Sequence, residues 1–220
     1  MIVVIQCAGA KQPYAGRLRT AGGKSFAFVA RSDLAPRTGI QLYGRPDEIS
    51  DDGRTWRQVL LDYNKEGRNE QGLLAAYEFY RKPVYRRLAN QLSVKKVFIL
   101  SAGWGLIRAD FLIPDYDITF SHVKRGDKYK SRRKVDRYDD FAMIPGDTSD
   151  RIVLFGSKNY VPLFCELTGE IRAEKFVFFT AHDASGAPGC NLRFFADAKR
   201  STNWQYDCAN AFLDGAISAA

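Results

Sequence analysis

The chain has 220 residues, 45% of them hydrophobic and 13% aromatic, with a formal net charge of +8. That length suits one domain, with room for an inserted subregion and a sizeable core. No apolar run approaches the ~18 residues of a membrane span. The four cysteines, Cys7, Cys165, Cys190 and Cys208, lack any Cys-x-x-Cys spacing, which argues against a zinc knuckle.

In chain order, "IVVIQC" (2–7) is apolar on both faces and reads as a buried strand. "GKSFAFVA" (23–30) is a further candidate strand or bridge, and 31–57, rich in Pro, Gly and Asp, reads as irregular. Leu73, Tyr77, Tyr80, Val84, Leu88 and Leu92 recur at steps of three and four, a helical pattern that Pro83 should kink or split. "KVFILSA" (96–102), "RIVLFGS" (151–157) and "KFVFFTA" (175–181) repeat the buried-strand signature. "SKNYVPLFCEL" reads as a helix with Ser157 near its N-cap. "NWQYDCANAFLDGAI" is the last helix, with Trp204, Cys208 and Phe212 on one side. Strands buried on both faces and alternating with helices predict a three-layer α/β domain over 1–220, with a central, mostly parallel four-stranded sheet and helices on both faces.

The segment "SHVKRGDKYKSRRKVDRYDD" (121–140) departs from this pattern. Its Lys124, Arg125, Lys128, Lys130, Arg132, Arg133, Lys134 and Arg137, with Tyr129 and Tyr138 among them, predict a basic insertion that is either a solvated loop or a phosphate-contacting arm. The net charge is that of an ordinary basic protein or of one that meets a polyanion, most often nucleic acid. Met1 opens directly on a strand without a basic leader, so the expectation is a soluble, cytoplasmic protein without membrane contact.

Ligands of open parallel sheets bind outside the carboxyl ends of the strands. The loops there would be "QCAGAKQPY", "SAGWGLIRADFLIPDYD", "GSKNY" and "AHDASG". They offer Gln6, Cys7, Lys11, Tyr14, Ser101, Trp104, Asp110, Tyr116 and Lys158 as binding groups, and Asp115, Asp117 and His182 as candidates for chemistry. Each has a plainer reading: an Asp can cap the turn after Pro114, a His can be structural, and Trp104 can cover the core. No phosphate loop, dinucleotide fingerprint or zinc-protease helix is present, and no cofactor or metal is expected.

Several of these pieces resemble the uracil-DNA glycosylase superfamily. "TAHDAS" is similar to its late histidine motif, "VLFGSKNY" to its third strand, and "NWQYDCANAFLDG" to its terminal helix. "VVIQCAGAKQPYAG" followed by "GKSFAFV" resembles the strand, Gln-containing Pro-Tyr loop and base-stacking Phe, here Phe26. "VFILSAGWGLIRADFLIPDYD", with "CAGAK", looks like YaaA-like proteins and the glycosylase-like domain associated with archaeosine transglycosylases. The resemblance implies a glycosylase fold and a His182 that donates to the leaving base. The family's catalytic Asp has no counterpart in the first loop, which carries Cys7 and Gln12. The carboxylate would come from Asp110, Asp115 or Asp117, and Asp117 is the first choice because it occupies the Tyr-Asp of the motif.

The expectation is a monofunctional DNA glycosylase that flips and excises a modified base, for example a hypermodified pyrimidine of phage DNA such as glucosylated hydroxymethylcytosine, in anti-phage defence. DNA is the expected partner, and no obligate protein partner is inferred. The rivals are a non-catalytic YaaA-like DNA-binding protein and a nucleotide or nucleoside N-glycosidase.

Overall fold

A computed structural model describes residues 1–37, 41–181, 186–196 and 202–218. In chain order the strands are β1 (Ile2–Gln6), β2 (Phe26–Val29), β3 (Leu42–Gly44), β4 (Leu74–Ala75), β5 (Val97–Ser101), β6 (Gly105–Arg108), β7 (Leu112–Ile113), β8 (Tyr116–Asp117), β9 (Phe141–Ala142), β10 (Ile152–Phe155), β11 (Lys175–Phe179) and β12 (Asn191–Phe194). The helices are α1 (Trp56–Glu66), α2 (Ala76–Phe79), α3 (Pro83–Leu92), α4 (Val161–Leu167) and α5 (Trp204–Leu213). No helix among the described residues is long and apolar enough to cross a membrane.

The central sheet is mixed and has seven strands, in the order β12-β11-β10-β1-β5-β6-β9. Its middle is the four strands expected from sequence, all parallel, with Val4 of β1 level with Leu154 on one side and Phe98 on the other. They are buried throughout, apart from the partly exposed Phe179 at the end of β11. Of the three further strands, β9 and β12 form the two edges of the sheet and β6 lies between β5 and β9. β6 turns back antiparallel on β5, β9 adds only two residues, and β12 is largely exposed. The β5–β6 turn ends on Gly105, at φ +82°, where a Cβ would lie 2.6 Å from the Phe141 carbonyl oxygen, so only glycine fits.

The 23–30 candidate is β2, but it pairs with β3 and β8 in a separate three-stranded sheet. This small sheet is held by aromatic packing: Phe26 lies 4.3 Å from Trp56, and Phe28 lies 5.0 Å from Trp104, centroid to centroid.

The helical pattern of 73–92 is divided at Pro83, as the ring demands. Tyr80 is extended between α2 and α3, Pro83 opens α3, and Leu73 lies before the helices. Helix α1 was not expected. Its signal is Thr55 and Gln58 in a reciprocal capping box, closed by Gly67 in the left-handed conformation. Ser157 does not cap α4. Tyr160 takes that position, and Ser157 precedes it in a turn, its carbonyl accepting from the Tyr160 N–H at 2.8 Å. Helices α3 and α5 pack on each other, α3 against β5, α5 against β1 and β10, and α4 against β6.

Candidate active site

From β1 the chain crosses to β5 on one side and later returns to β10 on the other. Strand order therefore reverses at the β1/β10 boundary, the place where the loops of an open α/β sheet diverge and leave a crevice. A cleft of about 750 Å³ opens there. Gln6, Cys7 and Lys11 come to it from the end of β1, Asp117 to Thr119 from the end of β8, Ser157 to Tyr160 from the end of β10, and Thr202 to Tyr206 from the start of α5. His122, Lys124, Asp127 and Lys130 come from the basic insertion.

The floor is hydrogen-bonded to the strand ends. Gln6 Oε1 accepts from the Ser157 N–H at 2.6 Å. The Cys7 thiol lies 3.1 Å from Tyr160 Oη. Tyr206 donates to the Cys7 carbonyl at 3.0 Å and Tyr85 to the Gln6 carbonyl at 2.7 Å. Burial pushes the phenols of Tyr85 and Tyr160 well up and that of Tyr206 up to about 12. All three therefore stay neutral and keep their donors at ordinary pH.

Of Asp110, Asp115 and Asp117, it is Asp117 that reaches this cleft. It is half-exposed and 2.9 Å from Lys130 Nζ. The hydrogen bond that Lys130 donates to Asp117 in turn raises the pKa of Lys130. Asp115, two residues earlier, is held 2.9 Å from Arg17 and lines a separate cleft of about 270 Å³ instead. Lys11 lines both clefts, as does Asp117. Its ammonium donates to the Tyr116 carbonyl and lies 4.0 Å from the centre of that ring. Burial lowers its pKa, against the opposing attraction of Asp117 and Asp115.

Other expected residues lie elsewhere. Asp110 pairs with Arg108 at 2.5 Å and lines neither cleft. Tyr14 is 65% exposed and also lines neither. Ser101 is buried, donating to Tyr116 Oη at 2.8 Å and accepting from the Trp104 N–H at 3.1 Å, so its hydroxyl closes the β5–β6 turn. Tyr116 is itself buried, its hydroxyl 2.7 Å from that of Tyr80. Trp104 and Phe26, candidate base platforms, are both buried in the aromatic cluster that joins the small sheet to the large one. They are core, because a ring enclosed by other rings has no face left for a base. Lys158 lines the main cleft. His182 lies outside the described residues.

The basic insertion is divided in role. Arg125–Lys130 forms a 3₁₀ segment that brings Lys124 and Lys130 to the cleft. Lys128 and Arg133 border an adjacent groove with His122 and Arg31. Arg133 and Arg137 make exposed pairs with Asp136 and Glu166. Arg132 corrects the expectation that the whole segment stays out of the core. It is buried, bidentate to Asp140, bonded to the Ala102 carbonyl at 2.8 Å, and stacked 3.8 Å from the Tyr138 ring centre. The buried carboxylate beside it makes this burial tolerable.

Sequence reasoning missed His122, one of only two histidines in the chain. Its rarity was the one available signal, because nothing local in "SHVKRGD" places it in a cleft. Among the described residues no three His, Cys, Asp or Glu side chains gather as metal ligands. The chain matches no family model and no curated protein.

Proposed function

We propose that the chain is a DNA glycosylase that excises a modified base from a nucleotide flipped into the main cleft, leaving an abasic site. The observation that carries this reading is Asp117, a carboxylate on the wall of a roomy cleft at the strand-order reversal, with Lys124, Lys130 and Lys158 lining the same space. Hydrolysis of an N-glycosidic bond builds positive charge on the sugar and negative charge on the leaving base. A carboxylate answers the first charge, and a neutral or cationic donor answers the second. The Tyr160 hydroxyl, His122 and the lysines are the donors at hand. The sequence resemblance adds His182. The basic side chains contribute salt-sensitive attraction to phosphates and little base specificity.

The volume of about 750 Å³ favours a base larger than a bare pyrimidine. It falls in the range of roughly 300–1,000 Å³ that holds drug-sized ligands. A hypermodified pyrimidine such as glucosylated hydroxymethylcytosine, with its appended sugar, suits a polar cleft of this size, and removing it from phage DNA would be a defence function.

The test is an abasic-site assay. The protein is incubated with phage DNA that carries the modified base, then the DNA is treated with alkali or an abasic endonuclease. Strand breaks that depend on the protein are expected. Binding without breaks would instead mark a non-catalytic DNA-binding protein. Base release from mononucleotides alone would mark a nucleotide N-glycosidase.

A further inference from the structure

Lys11 is held in an unusual way for a lysine. Its backbone is clamped, because Lys11 bridges Tyr80 while the neighbouring Gln12 N–H and Ala10 carbonyl bond to Phe79 and Arg81 at 2.9 and 3.1 Å. Its amine lies over the face of Tyr116 and donates to that residue's carbonyl. Among the described residues no carboxylate forms an ion pair with it, although Asp117 shares both clefts with it. Burial works against the ammonium while Asp117 and Asp115 work for it, and an amine that gives up its proton has a lone pair for attack.

We propose that Lys11 forms an imine with the aldehyde of an abasic deoxyribose in the main cleft and cleaves the strand by β-elimination. The lysine nitrogen bonds to C1′ of the ring-opened sugar, whose carbonyl oxygen takes up protons and leaves as water. A base then removes a proton from C2′, and Asp117 is the carboxylate that lines the clefts beside Lys11. The C2′–H electrons form the C2′–C3′ double bond and the C3′–O bond breaks, expelling the 3′ phosphate. Water hydrolyses the imine and returns the free amine. No oxidant, reductant or metal enters the balance. The inference rests on the reading of the cleft as a glycosylase site, and it adds a strand-cleaving step to a base-excising one.

The test uses the full chain and an oligonucleotide with one preformed abasic site, mixed with sodium cyanoborohydride, which reduces an imine to a stable secondary amine. A covalent protein–DNA complex is expected, with the adduct mapped by peptide mass spectrometry to Lys11. Lys11→Arg and Lys11→Met should lose the complex while melting temperature and DNA affinity stay near wild type. No complex from the wild type, or an adduct mapped to another amine, overturns the proposal. The mapping needs no variant, so it decides the matter even if both variants unfold. Because the abasic site is supplied, the result is independent of base release. A chain that traps DNA but excises nothing refutes the glycosylase reading alone. One that excises but never traps refutes only the lysine chemistry.

Discussion

Asp140→Asn is the sharpest test of how the basic insertion is anchored. The Asp140, Arg132 and Arg57 side chains are only 3%, 4% and 4% exposed. Asp140 accepts from Arg132 on both oxygens and from Arg57 at 3.4 Å. The two guanidiniums also bind the Ala102 and Gly103 carbonyls of the β5–β6 turn, each at 2.8 Å, and Arg57 reaches Asp47. Asparagine keeps the shape and one acceptor oxygen but removes the charge. Arg57 would still have Asp47, whereas Arg132 would be left buried with a carbonyl and an amide. Breaking a buried pair by removing one partner costs about 3–5 kcal/mol. For a chain of this length that is a fall in Tm of roughly 6–20 °C, at 2–4 °C per kcal/mol. Thermal and denaturant unfolding followed by circular dichroism would measure it, with Arg137→Ala as the control. The Arg137–Glu166 pair is 86% and 55% exposed and should be worth no more than about 1 kcal/mol. If Asp140→Asn proves as mild as Arg137→Ala, the network does not hold the insertion and the reasoning fails. The same argument makes Arg132 unsuitable as a probe of DNA contact, because its loss would be read as unfolding.

Other perturbations separate the remaining claims. Replacing Lys124, Arg125 and Lys128 by Ala should flatten the slope of log K against log salt by roughly two to three units, at about −0.9 per neutralised phosphate; an unchanged slope would show a merely solvated loop. Asp117→Asn should lower single-turnover base release by about 10²-fold with Tm nearly unchanged, since its pair with Lys130 is solvent-screened; a wild-type rate would remove Asp117 from the chemistry. His122→Ala and His182→Ala, run side by side, show which histidine serves the leaving base: the donor's loss should slow release on a similar scale without changing DNA affinity. Asp150 titrates at about 2, chiefly because Lys96 hydrogen-bonds it, with help from the N-terminal ammonium. Its folded pKa lies below the unfolded ~3.9. The stability it lends is therefore full above that value and lost as pH falls through about 2. Asp150→Asn should make the decline of Tm between those two values shallower than in the wild type, and parallel curves would contradict the linkage.

The sequence alone determined the four central strands and the loops that follow them. A strand buried on both faces needs only a short apolar run ended by small or polar residues, and 2–7, 96–102, 151–157 and 175–181 all carry it. The break at Pro83 was legible for the same reason, because a proline acts on its own turn. The outer strands β6, β9 and β12 were not, since their pairing depends on a neighbour already in place and not on their own apolar pattern. Which side chains meet in the cleft was decided only by tertiary structure. Asp115 and Asp117 are alike in sequence, yet Arg17 holds one away and Lys130 holds the other at the cleft. Eight basic residues of the insertion look equivalent along the chain, but Asp140 and the Ala102 carbonyl hold Arg132 buried. Lys11 reads as one more loop lysine until Tyr116, 105 residues away, encloses it. Local pattern encodes how much apolar surface a segment must bury. Partnerships between charges depend on which distant segments that burial brings together, and no local pattern carries that information.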